Sequence, residues 1–170
     1  NSYFIVYQMR YSCVLSRRLL CDLELLLNGG FNPLTGFLNE NDYTSVVENM
    51  RLSNGEIWPM PIVLPIEKEL SENYKIGDEI ILCNEENLPL ARLDIETMYK
   101  PDLVKECECV FGSADENHPY VKIVMGYKNC LYIGGKTSKI RDIPHFDFCD
   151  IRLTPKQTKQ FFKENKWKNI

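Results

Sequence analysis

Leu19, Leu20, Leu23, Leu26 and Leu27 repeat at the spacing of one buried helical stripe, and Asn28-Gly29-Gly30 follows at once. Apolar residues three and four apart set one face of a helix against a core. Glycine enters the left-handed C-cap conformation without a Cβ clash, so the glycine pair stops the helix. Ser16 stands where an N-cap belongs. Burying five leucines contributes roughly 8–15 kcal/mol before chain entropy is counted. A chain with such a helix must pack something against it. Here 170 residues, 44% of them hydrophobic, supply one domain's worth of core.

Asn39 reads as the N-cap of a second helix carrying Tyr43, Val46, Val47 and Met50 on one face. Asn54-Gly55 signals a tight turn, and strands are expected beyond it. Met60 to Ile66 is one strand, which Pro61 and Pro65 confine to an edge. Asp78 to Asn84 and Leu90 to Lys100 form a hairpin. A short helix begins at Pro101. The stretch YVKIVMGYKNCLYIGGK is expected to hold two strands around a turn at Gly126, with Gly134-Gly135 as a strand-ending turn. Thr154-Pro155-Lys156-Gln157 is a capping box that opens a last helix ending near Lys166. The first residues, NSYFIVYQMRYSCVLSRR, read as a folded strand rather than a signal peptide. Helices at both ends and short strands between them predict an α+β fold with a small mixed or closed sheet.

The formal net charge of −4 disfavours a generic nucleic-acid binder, which needs a basic surface. The lysine-rich stretch PKQTKQFFKENKWKNI reads as a solvated helix face. Seven cysteines, an odd number with no Cys-x-x-Cys, argue against a disulfide framework or zinc ribbon and for a reducing, cytoplasmic setting. No apolar run reaches a membrane span. The two histidines, His118 and His145, have no nucleophile at a fixed offset and read as hydrogen-bonded loop residues. Cys13 and Cys130 have nothing nearby to lower a thiol pKa.

The densest stretch is Asn28 to Tyr43, NGGFNPLTGFLNENDY. A phosphate-binding loop places its last glycine at a helix N-terminus and follows it with Lys-Ser or Lys-Thr. Here the glycine pair ends a helix, at its negative pole, and no lysine or arginine lies between Leu19 and Met50. The glycines therefore read as turn residues, and Phe31, Leu34, Phe37 and Leu38 as packing residues. The residues taken alone show no catalytic machinery.

Gly29-Gly30-Phe31-Asn32-Pro33-Leu34-Thr35-Gly36-Phe37, followed by Trp58-Pro59-Met60-Pro61-Ile62, resembles the N-terminal domain of ATP sulfurylase, sulfate adenylyltransferase. The likeness continues through YKPDLVKECECVFGSADENHP, YIGGK, PHFDF and IRLTP. It implies a PUA-like β pseudo-barrel with flanking helices over residues 1–153. Residues 154–170 then form a helix and linker toward a catalytic domain absent from this chain. The phosphate-handling motif Gln-Thr-Arg-Asn-Pro-x-His-x-x-His expected of that domain does not occur here. The resemblance implies a scaffold: no catalytic, substrate-binding or metal residues, and no cofactor, in this chain. Magnesium with ATP, and sulfate, are engaged only through the catalytic domain of the same polypeptide, in a full-length enzyme that can be a homo-oligomer. Gly29, Gly30, Phe31, Pro33, Leu34, Gly36 and Phe37 then form a structural or interdomain loop, with reach to the active-site mouth as the rival reading. A PUA-like RNA-binding module is the alternative function.

Overall fold

The computed structural model describes residues 11–168. Most of the expected N-terminal strand lies outside them; its end is β1 (Ser12–Val14). Ser16 is extended, and its hydroxyl accepts from the Leu19 amide at 3.4 Å, which opens α1 (Arg17–Asn28). Leu19, Leu23 and Leu26 are buried, while Leu20 and Leu27 pack half-buried against the same core. β2 (Gly36–Phe37) follows, then α2 (Glu40–Asn49), where Asn39 Oδ1 accepts from the Asp42 amide at 2.9 Å. Tyr43, Val46 and Val47 are buried as expected. Met50 is not: it is the left-handed C-cap, at φ 53°, and its side chain is exposed.

β3 (Leu64–Glu67) is shorter than the expected Met60–Ile66 strand, and α3 (Lys68–Ser71) continues from it. β4 (Glu79–Cys83) and β5 (Pro89–Tyr99) form the expected antiparallel hairpin. α4 (Leu103–Phe111) follows, capped by Asp102. The next segment departs from expectation. Residues read as a strand form α5 (Pro119–Met125), with His118 as N-cap and proline in its first turn. The β-branched and aromatic residues of YVKIVM suit a strand. His118 Nδ1, accepting from the Tyr120 and Val121 amides at 3.2 and 3.4 Å, and the proline pre-set for a helix start decide otherwise. β6 (Cys130–Lys139) then runs straight through Gly134-Gly135, which sit mid-strand and end nothing. α6 (Pro155–Glu164) carries the expected capping box.

Among the described residues six strands make one open mixed sheet in the order β1-β4-β5-β6-β2, with β3 also paired to β6. β1 runs parallel to β4; every other named pairing is antiparallel. β3 lies at an edge, where its proline removes no needed donor. The main core joins α1 and α2 to the sheet through Leu23, Val46, Leu64, Leu93 and Ile133. A smaller cluster of Cys107, Val121 and Val124 holds α4 against α5.

Candidate functional site

The glycine-rich loop is pinned to the body along its length. Gly29 takes the left-handed conformation at φ 79°; Gly30 is not among the residues with positive φ. The Phe31 amide donates back to the Leu25 carbonyl at 3.0 Å and the Gly30 amide to Asn28 Oδ1 at 3.0 Å. These bonds satisfy groups that a helix end leaves open. The Leu34 amide reaches the Phe31 carbonyl at 2.8 Å across the cis Asn32–Pro33 bond. Phe31 meets Trp58 edge-on, ring centroids 5.6 Å apart. Leu34, Phe37 and Leu38 are buried, Phe37 to 2% exposure. Pro33 lies exposed at the rim.

The third glycine of the loop has a different task. A Cβ on Gly36 would stand 1.9 Å from the Gly135 carbonyl oxygen, and one on Gly135 would stand 1.9 Å from the Asp94 carbonyl oxygen. One on Gly134 would stand 2.3 Å from the Leu38 carbonyl oxygen. Backbone therefore packs on backbone where β2, β6 and β5 meet, beside a register shift between Ile95 and Thr97. A bulge re-aims a strand, and side chains are left out of a contact this close. Beside this crossing lies an open groove of about 180 Å³, lined by Pro33, Gly36, Asp42, Ser53, Glu96 and Lys136 among others. Its charged groups are already engaged. Asp42 accepts from the Ser53 amide at 2.9 Å and Asn39 Nδ2 at 3.0 Å, and Lys136 stands 3.8 Å from Glu96. The Ser53 hydroxyl donates to the same carboxylate, at Asp42 Oδ1, at 2.5 Å.

Sequence reasoning missed a second polar constellation. Glu106 is 4% exposed, and its Oε2 accepts from Tyr43 Oη at 2.8 Å and Tyr132 Oη at 3.1 Å. Burial pushes its carboxyl above the usual glutamate range, opposed by the two tyrosine hydrogen bonds and by Arg18. Burial, with the neighbouring Glu106 charge, pushes the Tyr43, Tyr99 and Tyr132 hydroxyls up as well. Close by, Arg18 donates to Asp22 at 3.0 Å, Tyr120 Oη at 3.2 Å and Tyr127 Oη at 3.0 Å. These bonds tie α4, α5 and the turn after α5 to α1, α2 and β6. The signal was available: Leu103, Glu106, Cys107 and Val110 follow a helical stripe, with a carboxylate in an apolar position.

Both histidines are hydrogen-bonded, His118 locally and His145 across the fold. His118 caps α5, and His145 Nε2 lies 2.7 Å from Glu24 Oε1. The Cys13 thiol is pushed up to about 11, by burial first and by Cys83 second, and burial also raises Cys130. Neither thiol is poised as a nucleophile. Among the described residues no group of three or more His, Cys, Asp or Glu is placed to hold a metal ion. No described helix is long and apolar enough to cross a membrane.

The family described as PUA-like domain matches residues 7–142. The chain belongs to the PUA-like domain family. The match takes in the crossing glycines, the buried glutamate and all six strands. This PUA-like domain is 43% identical to the sulfate adenylyltransferase of Schizosaccharomyces pombe, over 92% of its own length and 32% of that protein. It is 39% identical to the sulfate adenylyltransferase of Saccharomyces cerevisiae, over 92% of its own length and 30% of that protein. The chain thus spans about a third of the length of the curated relatives it matches. Among solved structures, a hexameric APS kinase from Thiobacillus denitrificans shares the fold. Its TM-score is 0.70 at 23% identity, over 94% of this chain and 27% of that one. The resemblance carried by the Gly29–Phe37 and Trp58–Ile62 motifs is therefore matched both by family and by named relatives.

Proposed function

We propose that this chain is the N-terminal scaffold domain of a sulfate adenylyltransferase, a cytoplasmic enzyme that converts ATP and sulfate into adenosine 5′-phosphosulfate and pyrophosphate. The similarity to sulfate adenylyltransferases over nine-tenths of the chain, which accounts for only a third of their length, carries this reading. Residues 1–153 serve as the PUA-like unit, and residues 154–170 as the helix and linker toward the catalytic portion. ATP, its magnesium and sulfate are assigned to that portion. The task of the present chain is to hold shape. The Gly29–Phe37 loop supports this, because its apolar side chains are spent on the domain's own core.

Pyrophosphate release in the presence of ATP, magnesium and sulfate tests the proposal. The isolated chain is expected to release none above background. A hybrid in which it replaces the matching third of the Schizosaccharomyces pombe relative is expected to be active. Turnover by the isolated chain at the level of a full-length relative overturns the scaffold reading, and an inactive but folded hybrid overturns the family assignment of function.

A further inference from the structure

Phe146, Phe148 and Ile151 are 92%, 72% and 75% exposed. Leu153, Phe161 and Trp167 are exposed on the same C-terminal stretch, and no other phenylalanine or tryptophan among the described residues is. Scattered apolar residues on a surface need no explanation, but clustered aromatic ones do.

The segment 145–152 is held with its apolar side chains outward. Some of its polar groups are tied down, while Asp147 and Arg152 stay exposed. His145 Nε2 meets Glu24 on α1 at 2.7 Å, Arg152 pairs with Asp147 at 3.5 Å, and Cys149 Sγ donates to the His145 carbonyl at 3.5 Å. Phe148 sits at φ 54°, a left-handed conformation that a bulky residue takes only when its surroundings fix it. Its carbonyl accepts from the Ile151 and Arg152 amides at 3.1 and 2.9 Å, closing a turn. The phenylalanines are thus left in solvent by a segment with a definite hydrogen-bonded shape, in which His145 is half-buried against Glu24. Next to it, α6 has Phe161 on its surface and no buried residue, and Trp167 folds back against Phe161 and Phe162 at 5.6 and 5.7 Å.

We infer that the exposed apolar side chains of Phe146, Phe148, Ile151 and Leu153, and those of Phe161 and Trp167 beyond them, dock against the remainder of the same longer polypeptide. The inference rests on the scaffold reading above. Its occupant is the stretch that makes up about two-thirds of the relatives' length and has no counterpart here: this chain matches 32% and 30% of two of them. The match to those relatives covers 92% of the chain, so the domain is recognised together with chain that lies outside it. A surface already shaped when its partner is absent loses little entropy on docking.

Hydrogen exchange on the isolated chain and on the hybrid with the Schizosaccharomyces pombe relative tests this. Amides of residues 146–153 are expected to exchange about tenfold or more slowly in the hybrid. The triple variant Phe146→Ser, Phe148→Ser, Ile151→Ser is expected to leave the melt of the isolated chain unchanged and to abolish the added protection in the hybrid. Should the triple variant fail to fold, Phe146→Ser alone reads the same effect at the most exposed position. Equal exchange in both proteins overturns the inference. So does a dimer of the isolated chain that the variant dissolves, which makes a second copy the occupant. Protection in a hybrid that releases no pyrophosphate removes the enzymatic reading and keeps the docking surface; an active hybrid with an unprotected segment does the opposite.

Discussion

Gly36 and Gly135 approach until a single added carbon on Gly36 lies 1.9 Å from the Gly135 carbonyl oxygen. No rotamer relieves that contact, because the obstacle is backbone. Gly36→Ala or Gly135→Ala is expected to destabilise the chain by about 3 kcal/mol or more, at the upper end of overpacking costs. Gly29→Ala meets no atom within 4 Å and suffers only its positive φ, so its cost is expected near 1–2 kcal/mol, roughly the left-handed penalty. Gly30→Ala meets the flexible end of Leu25 at 2.6 Å and is expected to cost least. Urea unfolding of the four variants checks the ranking; a Gly36→Ala midpoint equal to wild type contradicts the backbone crossing.

Phe37 is buried within this chain, so Phe37→Ala is expected to cost about 3–5 kcal/mol in the isolated domain. The melting temperature of the fragment is the measurement. A fragment that melts unchanged places the energetic role of Phe37 elsewhere, and a full-length protein that then loses ATP or sulfate affinity makes the loop part of the active site.

Glu106 gives a pH signature. Burial raises its folded-state pKa above the ordinary value of 4.5, so between the two values the folded chain binds more protons than the unfolded one. Its contribution to stability is then greatest below 4.5 and declines as pH rises through the folded pKa. Glu106→Gln keeps an acceptor for both tyrosines and is expected to remove this decline. Glu106→Leu strands two buried hydroxyls and is expected to cost roughly 2–6 kcal/mol at any pH, about 1–3 for each. Denaturant melts of wild type and both variants, from acid to neutral pH, decide it. Parallel curves for wild type and Glu106→Gln would contradict the raised pKa.

The acidic balance predicts no salt-sensitive affinity for RNA, despite Lys156, Lys159 and Lys163 on α6. Fluorescence anisotropy with single-stranded and structured RNAs at two salt concentrations is the check. Micromolar binding that weakens steeply with salt supports the RNA-binding module instead.

The helices with explicit ends were legible. Ser16, Asn39 and Thr154 cap α1, α2 and α6 at the expected positions, because caps act through groups two or three residues away. α5 was not, since its β-branched residues suit a strand and only the His118 cap and tertiary packing settle the matter. Gly134-Gly135 was misread for a related reason. Sequence shows that glycine can turn; it does not show that a missing Cβ is wanted because strands far away in the chain come close. The loop residues Phe31, Leu34 and Phe37 were legible as packing groups. Glu106 was passed over because one carboxylate in a helix looks solvated until Tyr43 and Tyr132, 63 and 26 residues away, are placed beside it.

β6 pairs with β5 on one side and with β2 and β3 on the other, yet it is the last of the described strands along the chain. A growing polypeptide that has not yet delivered residues 130–139 holds three strands waiting for the same absent neighbour. β4 can pair with β1 and β5 as soon as they are made, but β2, β3 and the far edge of β5 must wait. The order of synthesis thus makes completion of this domain a single late event, and any message cut short before that strand encodes a chain with unsatisfied edges and a strong reason to aggregate.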